Sequence, residues 1–204
     1  MKVLVIIPTR KFVETDCLRS VTNQTYTDYS VCMHAMMPIK LHLDPEKDRV
    51  MNIVRNRNYI RDMVLKSDAE WFFWVDSDTV VPQNAIETFL KIKEPYMGGW
   101  YQKKDKTTWV AGRFNNKGVF VFQKNIPQEE KFETDLLGLG CAFIHRSVLE
   151  KISFEHGMDV MMKEESGQKL FYAECAMFCK AAKEKGITPY LIRDVVCGHL
   201  LVQT

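Results

Sequence analysis

The sequence predicts an α/β domain with a mostly parallel central sheet flanked by helices. Three observations lead there. Val3 to Ile7 and Trp71 to Val75 are short, dense apolar runs, the pattern of strands buried on both faces. Helix-like stretches separate the strand-like ones in the first half of the chain, and that alternation is the mark of a parallel sheet. Finally, Trp71-Phe72-Phe73-Trp74-Val75 runs straight into Asp76-Ser77-Asp78, and in open α/β sheets ligands bind beyond the carboxyl ends of the strands.

The totals set the frame. A chain of 204 residues with 46% hydrophobic residues and a formal charge of +2 suits one globular domain. A balance so close to neutral gives no mandate for nucleic acid, so local basic groups such as Lys103-Lys104 and Arg55 to Arg61 need their own explanation. The six cysteines form no CxxC pair and show no zinc-type spacing with histidine. Most lie inside apolar runs, so they read as small buried residues in a reducing compartment. Lys2 followed by Val3 to Ile7 is too short for a signal peptide and is closed by Pro8 and Arg10. No run approaches a membrane span. A soluble, cytoplasmic protein without a transmembrane segment is the expectation.

In order, residues 2–7 are the first strand and Pro8-Thr9-Arg10 the turn at its carboxyl end. A short helix is expected from Thr15 to Gln24, then a strand from Tyr29 to Met36. Asp44-Pro45 supplies an N-cap and a first-turn proline for a helix reaching about Lys66. After Asp78, Pro82 and Asn84 open a helix from Ala85 to about Lys93, and Gly98-Gly99 marks a tight passage. Thr107–Phe114 and Gly118–Phe122 alternate around Asn115-Asn116-Lys117-Gly118, a hairpin pattern. Pro127 to Thr134 reads as a surface loop. Leu136–Ile144 reads as one strand, with Gly138 and Gly140 marking close approach of a ligand or another backbone. Ser147-Val148-Leu149-Glu150 is a capping-box sequence. Residues 155–169 read as loop, Tyr172 to Lys185 as a helix ending at Gly186, and Tyr190 to Val196 as a last strand before Gly198-His199. The organisation expected is one domain over 1–204, with a nucleotide-binding half at 1–100 and an acceptor half at 101–204.

Two like-charged carboxylates at the end of a dry strand repel unless a cation lies between them. Asp76 and Asp78 therefore imply a divalent metal presenting a phosphate-bearing ligand. Arg57 belongs with them. Val50, Ile53, Ile60 and Val64 form an apolar stripe at helical spacing, and Arg57 interrupts it. Its guanidinium either snorkels outward from an apolar stem or faces inward toward an anion, and the acids on the next strand favour the second.

Several segments in order resemble a glycosyltransferase of the GT-A fold, closest to the inverting family 2. Val5-Ile6-Ile7-Pro8-Thr9-Arg10 is similar to that family's opening strand and turn, and Cys17 to Tyr26, with its Asn-Gln-Thr-Tyr ending, to its first helix. Arg57-Asn58 and Ile60 resemble the segment before the metal motif, Asp76-Ser77-Asp78 matches Asp-X-Asp, and Glu174, Phe178-Cys179 and Gly186 resemble the Glu-Asp helix. Gly198-His199 is similar to the family's Gly-His ending. The resemblance implies a metal-dependent transferase, using Mn²⁺ or Mg²⁺, that moves a sugar from a UDP- or GDP-sugar to a glycan, protein or lipid hydroxyl with inversion. It implies metal ligands in Asp76, Asp78 and His199, and nucleotide contacts from Pro8, Thr9, Arg10, Arg57, Asp76, Ser77 and Asp78. It departs from the family in two places. Cys175 stands where an aspartate base is usual, leaving Glu174 as the candidate catalytic base, with Asp159 or Asp135 as substitutes and a retaining route as the other option. His34-Ala35-Met36-Met37-Pro38 replaces an acidic segment, so the nucleotide does not carry over.

Two rival readings share the Asp pair. A haloacid-dehalogenase-like phosphatase would use Asp76 as nucleophile, but Asp194 stands alone where paired acids would be needed. A non-catalytic nucleotide-sugar-binding module would explain Cys175. A nucleotidyltransferase lacks its glycine-rich loop here, since Pro8-Thr9-Arg10-Lys11-Phe12 contains no glycine.

Overall fold

The computed structural model describes residues 1–9, 12–35, 45–104, 106–155 and 157–200. Its elements begin with β1 (Val3–Thr9), α1 (Thr15–Thr22), β2 (Tyr29–Ala35) and α2 (Pro45–Val64). Next come β3 (Trp71–Val75), β4 (Thr79–Val80), α3 (Ala85–Ile92) and β5 (Tyr96–Trp100). They are followed by β6 (Ala111–Phe114), β7 (Phe120–Phe122), β8 (Lys131–Glu133), β9 (Leu136–Leu137) and β10 (Cys141–His145). The remaining elements are α4 (Arg146–Lys151), β11 (Gly157–Lys163), β12 (Lys169–Tyr172), α5 (Glu174–Glu184), β13 (Tyr190–Val196) and β14 (Gly198–His199).

Seven strands form the central sheet in the order β2-β1-β3-β10-β5-β13-β8. The pairs β1–β2, β1–β3 and β5–β13 are parallel, whereas β10 runs antiparallel between β3 and β5, and β8 is an antiparallel edge. Every residue of β3 is buried, because both faces of the sheet are covered. Phe72 and Trp74 face a layer built from α2 and α5, with Ile60, Val64, Phe154 and Phe178. Trp71, Phe73 and Val75 face α1 and α3, with Cys17, Val21, Ile86 and Phe89. Aromatic rings knit each layer, Phe154 stacking on Phe178 at 4.5 Å and Phe89 on Phe143 at 5.0 Å between centroids. Covered faces are what a continuous apolar run of five requires, since no position can be given to water.

Several expectations change. Leu136–Ile144 is not one strand: β9 pairs with β6, the chain turns, and β10 enters the main sheet. The atoms that come closest to the Cβ side of these two glycines belong to a side chain. A Cβ on Gly138 would lie 1.9 Å from the Tyr101 hydroxyl, and one on Gly140 2.9 Å from Tyr101 Cζ, so these glycines make room for the buried Tyr101 side chain. Part of the expected loop at Pro127–Thr134 is the edge strand β8, and 155–169 contains most of the β11–β12 hairpin. The cap of α4 is His145, whose Nδ1 accepts from the Ser147 amide, rather than a Ser147–Glu150 box. The helix expected from Tyr172 begins at Glu174, since Tyr172 ends β12. The hairpin around Asn115–Gly118 is present, with Asn115 Oδ1 accepting from the Lys117 and Val119 amides. All six cysteines are free thiols, four of them buried.

Candidate active site at the strand ends

Asp76-Ser77-Asp78 leaves the carboxyl end of β3 in a turn held from four sides. The Asp76 amide donates to Gly140 O at 3.2 Å, and the Thr79 amide to Asp76 O at 3.0 Å. The Glu14 amide, at the start of α1, donates to Ser77 O, and the Leu200 amide donates to Asp78 O at 2.8 Å. Beyond the turn, β4 pairs with β14, setting Thr79 opposite His199. Segments far apart in sequence thus converge on one corner, and backbone hydrogen bonds fix where each acid stands.

The two acids have different partners. Asp78 Oδ2 lies 2.9 Å from Lys104 Nζ and 3.5 Å from His199 Nε2. These bonds, the histidine's first, hold the Asp78 carboxyl down at a pKa of about 2 against the opposing effect of burial. His199 is raised in return, by Asp78 and by its contact with the Gln102 carbonyl. That contact is Nδ1 to Gln102 O at 2.8 Å. A carbonyl only accepts, so Nδ1 carries the proton and Nε2 is the nitrogen turned to Asp78, the arrangement that orients histidine as a metal ligand. The Tyr101 ring packs edge-on against His199 at 5.6 Å.

Asp76 instead faces Arg57, with Oδ1 3.5 Å from Nη2. Arg57 Nε lies 3.4 Å from Glu174 Oε1, so one guanidinium spans both acids. Only 8% of Arg57 is exposed, and its Nε and Nη1 make no hydrogen bond among the described residues. Its guanidinium carbon sits 5.8 Å from the Trp74 ring centroid. The inward orientation expected for Arg57 is therefore what the fold produces, with Ile60 and Val64 of the same helix in the core. Burial raises the Asp76 pKa; Arg57 opposes this, and the neighbouring Asp78 and Glu174 carboxylates add to it.

Glu174 is the first residue of α5, and its side chain is 15% exposed. Cys175 beside it is a thiol pushed far above its ordinary range by burial and then by Glu174. It is a proton-bearing group that packs against the core, not a base. Of the substitutes for Glu174, Asp135 is tied to Lys183 and accepts from the Phe114 amide at 2.8 Å. The Asp159 side chain lies outside the described residues.

Pro8 and Thr9 end β1 beside His34 and Ala35 of β2, with the Thr9 hydroxyl donating to Phe12 O at 2.6 Å. Arg10 lies outside the described residues. Asn58 explains its place next to Arg57: its amide exchanges hydrogen bonds with the Phe154 backbone at 2.8 and 2.9 Å, fastening α2 behind the site. Gln24 does the same for α1, donating to Pro82 O and accepting from the Ile86 amide.

Sequence reasoning missed Lys104, Tyr101 and the Gln102 carbonyl. The Lys103-Lys104 pair was the available signal. Lys104 serves Asp78, while Lys103 lies over the Phe122 ring at 3.5 Å.

The donors suit a cation shared with a ligand. Among the described residues no three His, Cys, Asp or Glu side chains form a metal-holding group. Asp78 Oδ2 and the oriented His199 Nε2 face each other, and Mg²⁺ commonly takes only one or two carboxylates with the rest of its shell from waters and phosphate oxygens. Asp194, the acid that the phosphatase reading would call on, is exposed and bonded to Arg193. Among the described residues no helix is long and apolar enough to cross a membrane.

No family model matches the sequence, and no curated protein matches it. Solved structures do. A197 from STIV superposes with a TM-score of 0.65 at 18% identity, over 99% of this chain and 87% of that one. GalNAc-T7, crystallised with UDP, GalNAc and Mn²⁺, gives 0.64 at 13% identity over 98% of this chain. S. aureus TarS 1-349 in complex with UDP gives 0.57 at 16% identity, again over 98% of this chain. The chain spans 44% of the GalNAc-T7 chain and 61% of the TarS chain. These neighbours are glycosyltransferases built on one scaffold, and from end to end of its described residues this chain has the GT-A fold.

Proposed function

We propose that this protein transfers a sugar from a nucleoside-diphosphate sugar to an acceptor hydroxyl, with a divalent cation and with inversion. The observation that carries the reading is the pairing of Asp78 with a histidine whose Nδ1–H is fixed on a backbone carbonyl. A histidine held in that tautomer beside an ionised carboxylate has the outer support that a metal-ligand pair requires.

In this reading Asp78 and His199 would hold Mn²⁺ or Mg²⁺, which when bound would supply Lewis-acid neutralisation of a departing diphosphate. Asp76 contacts the ribose or shares the cation, and Ser77 lines the turn between the two. Pro8, Thr9 and Arg10 line the nucleoside pocket. The buried guanidinium of Arg57 has hydrogen-bond donors left over after its two ion pairs, and these supply the donor's anionic or hydroxyl groups. Glu174 takes the proton from the acceptor hydroxyl. The neighbours crystallised with UDP support a uridine donor as the first to test.

The test is a panel of UDP- and GDP-sugars measured for metal-dependent thermal stabilisation. Stabilisation that requires Mn²⁺ and disappears in Asp78→Asn is the expected result. Stabilisation that persists in Asp78→Asn, or that needs no metal, would remove Asp78 from the site.

A further inference from the structure

We propose that Lys104 is a resident cation on Asp78, displaced when metal and diphosphate arrive together, so that one ammonium couples the two binding events. The inference deepens the reading above and rests on Asp78 and His199 as the metal pair.

Lys104 Nζ lies 2.9 Å from Asp78 Oδ2, the same oxygen that faces His199 Nε2. A metal ion held by Asp78 and His199 would meet the ammonium as a like charge. Lys104 therefore has to leave before the pair can act as ligands. It has somewhere to go. Its side chain is 52% exposed while that of Asp78 is 17% exposed, so the ammonium approaches from the solvent side. Lysine is a compact charge on a flexible four-carbon stem, and rotation of the stem alone frees the carboxylate.

Residues on both sides of Lys104 are held by backbone hydrogen bonds. The Lys103 amide donates to Thr108 O at 2.9 Å and the Lys106 amide to Lys103 O at 2.8 Å. Gln102 pairs with Trp109, and the Gln102 carbonyl is the group that orients His199. One short segment thus sets the histidine and delivers the lysine. Without a diphosphate, displacing Lys104 leaves an ammonium without its anion. With one, phosphate oxygens next to the metal replace the lost carboxylate. Metal alone is then disfavoured, nucleotide alone lacks its main counter-charge, and each promotes the other by the same factor.

The experiment is a calorimetric titration of Mn²⁺ into the whole protein, alone and with saturating UDP or GDP. It compares the natural protein with Lys104→Met and Lys104→Gln, two variants at a half-exposed position. Both variants should bind Mn²⁺ alone about tenfold more tightly, with the enhancement by nucleotide reduced by a similar factor. Unchanged or weaker Mn²⁺ binding in both variants, while the natural protein still binds Mn²⁺ with nucleotide, overturns the role of Lys104 and leaves the proposed function standing. Failure of the natural protein to bind Mn²⁺ with either nucleotide overturns both.

Discussion

Arg57 Nε lies 3.4 Å from Glu174 Oε1, joining the middle of α2 to the first residue of α5 across the floor of the candidate site. The same guanidinium reaches Asp76. The proposed donor side and the proposed base side therefore share one buried positive charge, and a change at either acid is felt at the other.

Removing that charge should cost stability as well as binding. Arg57→Met leaves Asp76 and Glu174 without the counter-charge they share, and breaking a buried ion pair costs on the order of 3 kcal/mol. The double variant Arg57→Met with Glu174→Gln should recover part of the loss, because one orphaned charge is gone. Urea denaturation of the single and double variants measures this. Arg57→Lys should recover little, since an ammonium lacks the fork that spans two carboxylates.

Glu174 and its neighbour should separate cleanly by activity. Glu174→Gln is expected to lower kcat for transfer by a factor of roughly 100 or more, while metal-dependent donor binding survives. Cys175→Ala should stay within about twofold of the natural rate, because a thiol held protonated by its surroundings does no acid–base work in the neutral range. A large loss in Cys175→Ala with intact stability would move the base to this position.

Acidity should act on the proposed metal pair through His199. Its pKa is raised by Asp78 and the Gln102 carbonyl, with burial and Lys104 opposing. Protonated His199 thus stabilises the fold below its ordinary value, and that contribution is lost as pH rises through the raised one. Mn²⁺ needs the bare Nε2, so its affinity should climb as pH rises through that raised value, and His199→Gln should flatten the climb. Asp78, held at about 2, stays ionised throughout. Its own contribution, about 2 kcal/mol, is present above its unfolded pKa and lost as pH falls toward 2.

Gly138 should be intolerant because a buried side chain fills the space beside it. A Cβ there would lie 1.9 Å from the Tyr101 hydroxyl and 2.8 Å from Val110 Cγ1. Gly138→Ala is expected to cost about 1–3 kcal/mol as overpacking. Tyr101→Phe in the same chain should return part of it, and a double-mutant cycle on thermal or urea stability measures the coupling. Because Tyr101 packs on His199, Gly138→Ala should also weaken Mn²⁺ binding.

The sequence alone determined the strands that are buried on both faces and what stands at their ends. Five apolar residues from Trp71 to Val75 leave no side for water, and Asp76 and Asp78 follow them as a matter of chain order. Helix α2 and the inward guanidinium of Arg57 were legible for the same reason, because a charge in an apolar stripe conflicts with the pattern around it. Tertiary structure decided everything that depends on distant partners. Asp78 meets His199 only because β4 pairs with β14, and Lys104 reaches it from a segment between other strands. The glycines at 138 and 140 advertised a close approach, yet only packing shows that the visitor is Tyr101. The reversed course of β10 was hidden too, since a strand covered on both faces has the same apolar composition in either direction. Hydrophobic pattern is a local property and survives in one dimension; partner choice is a contest among contacts across the chain, and only the folded geometry resolves it.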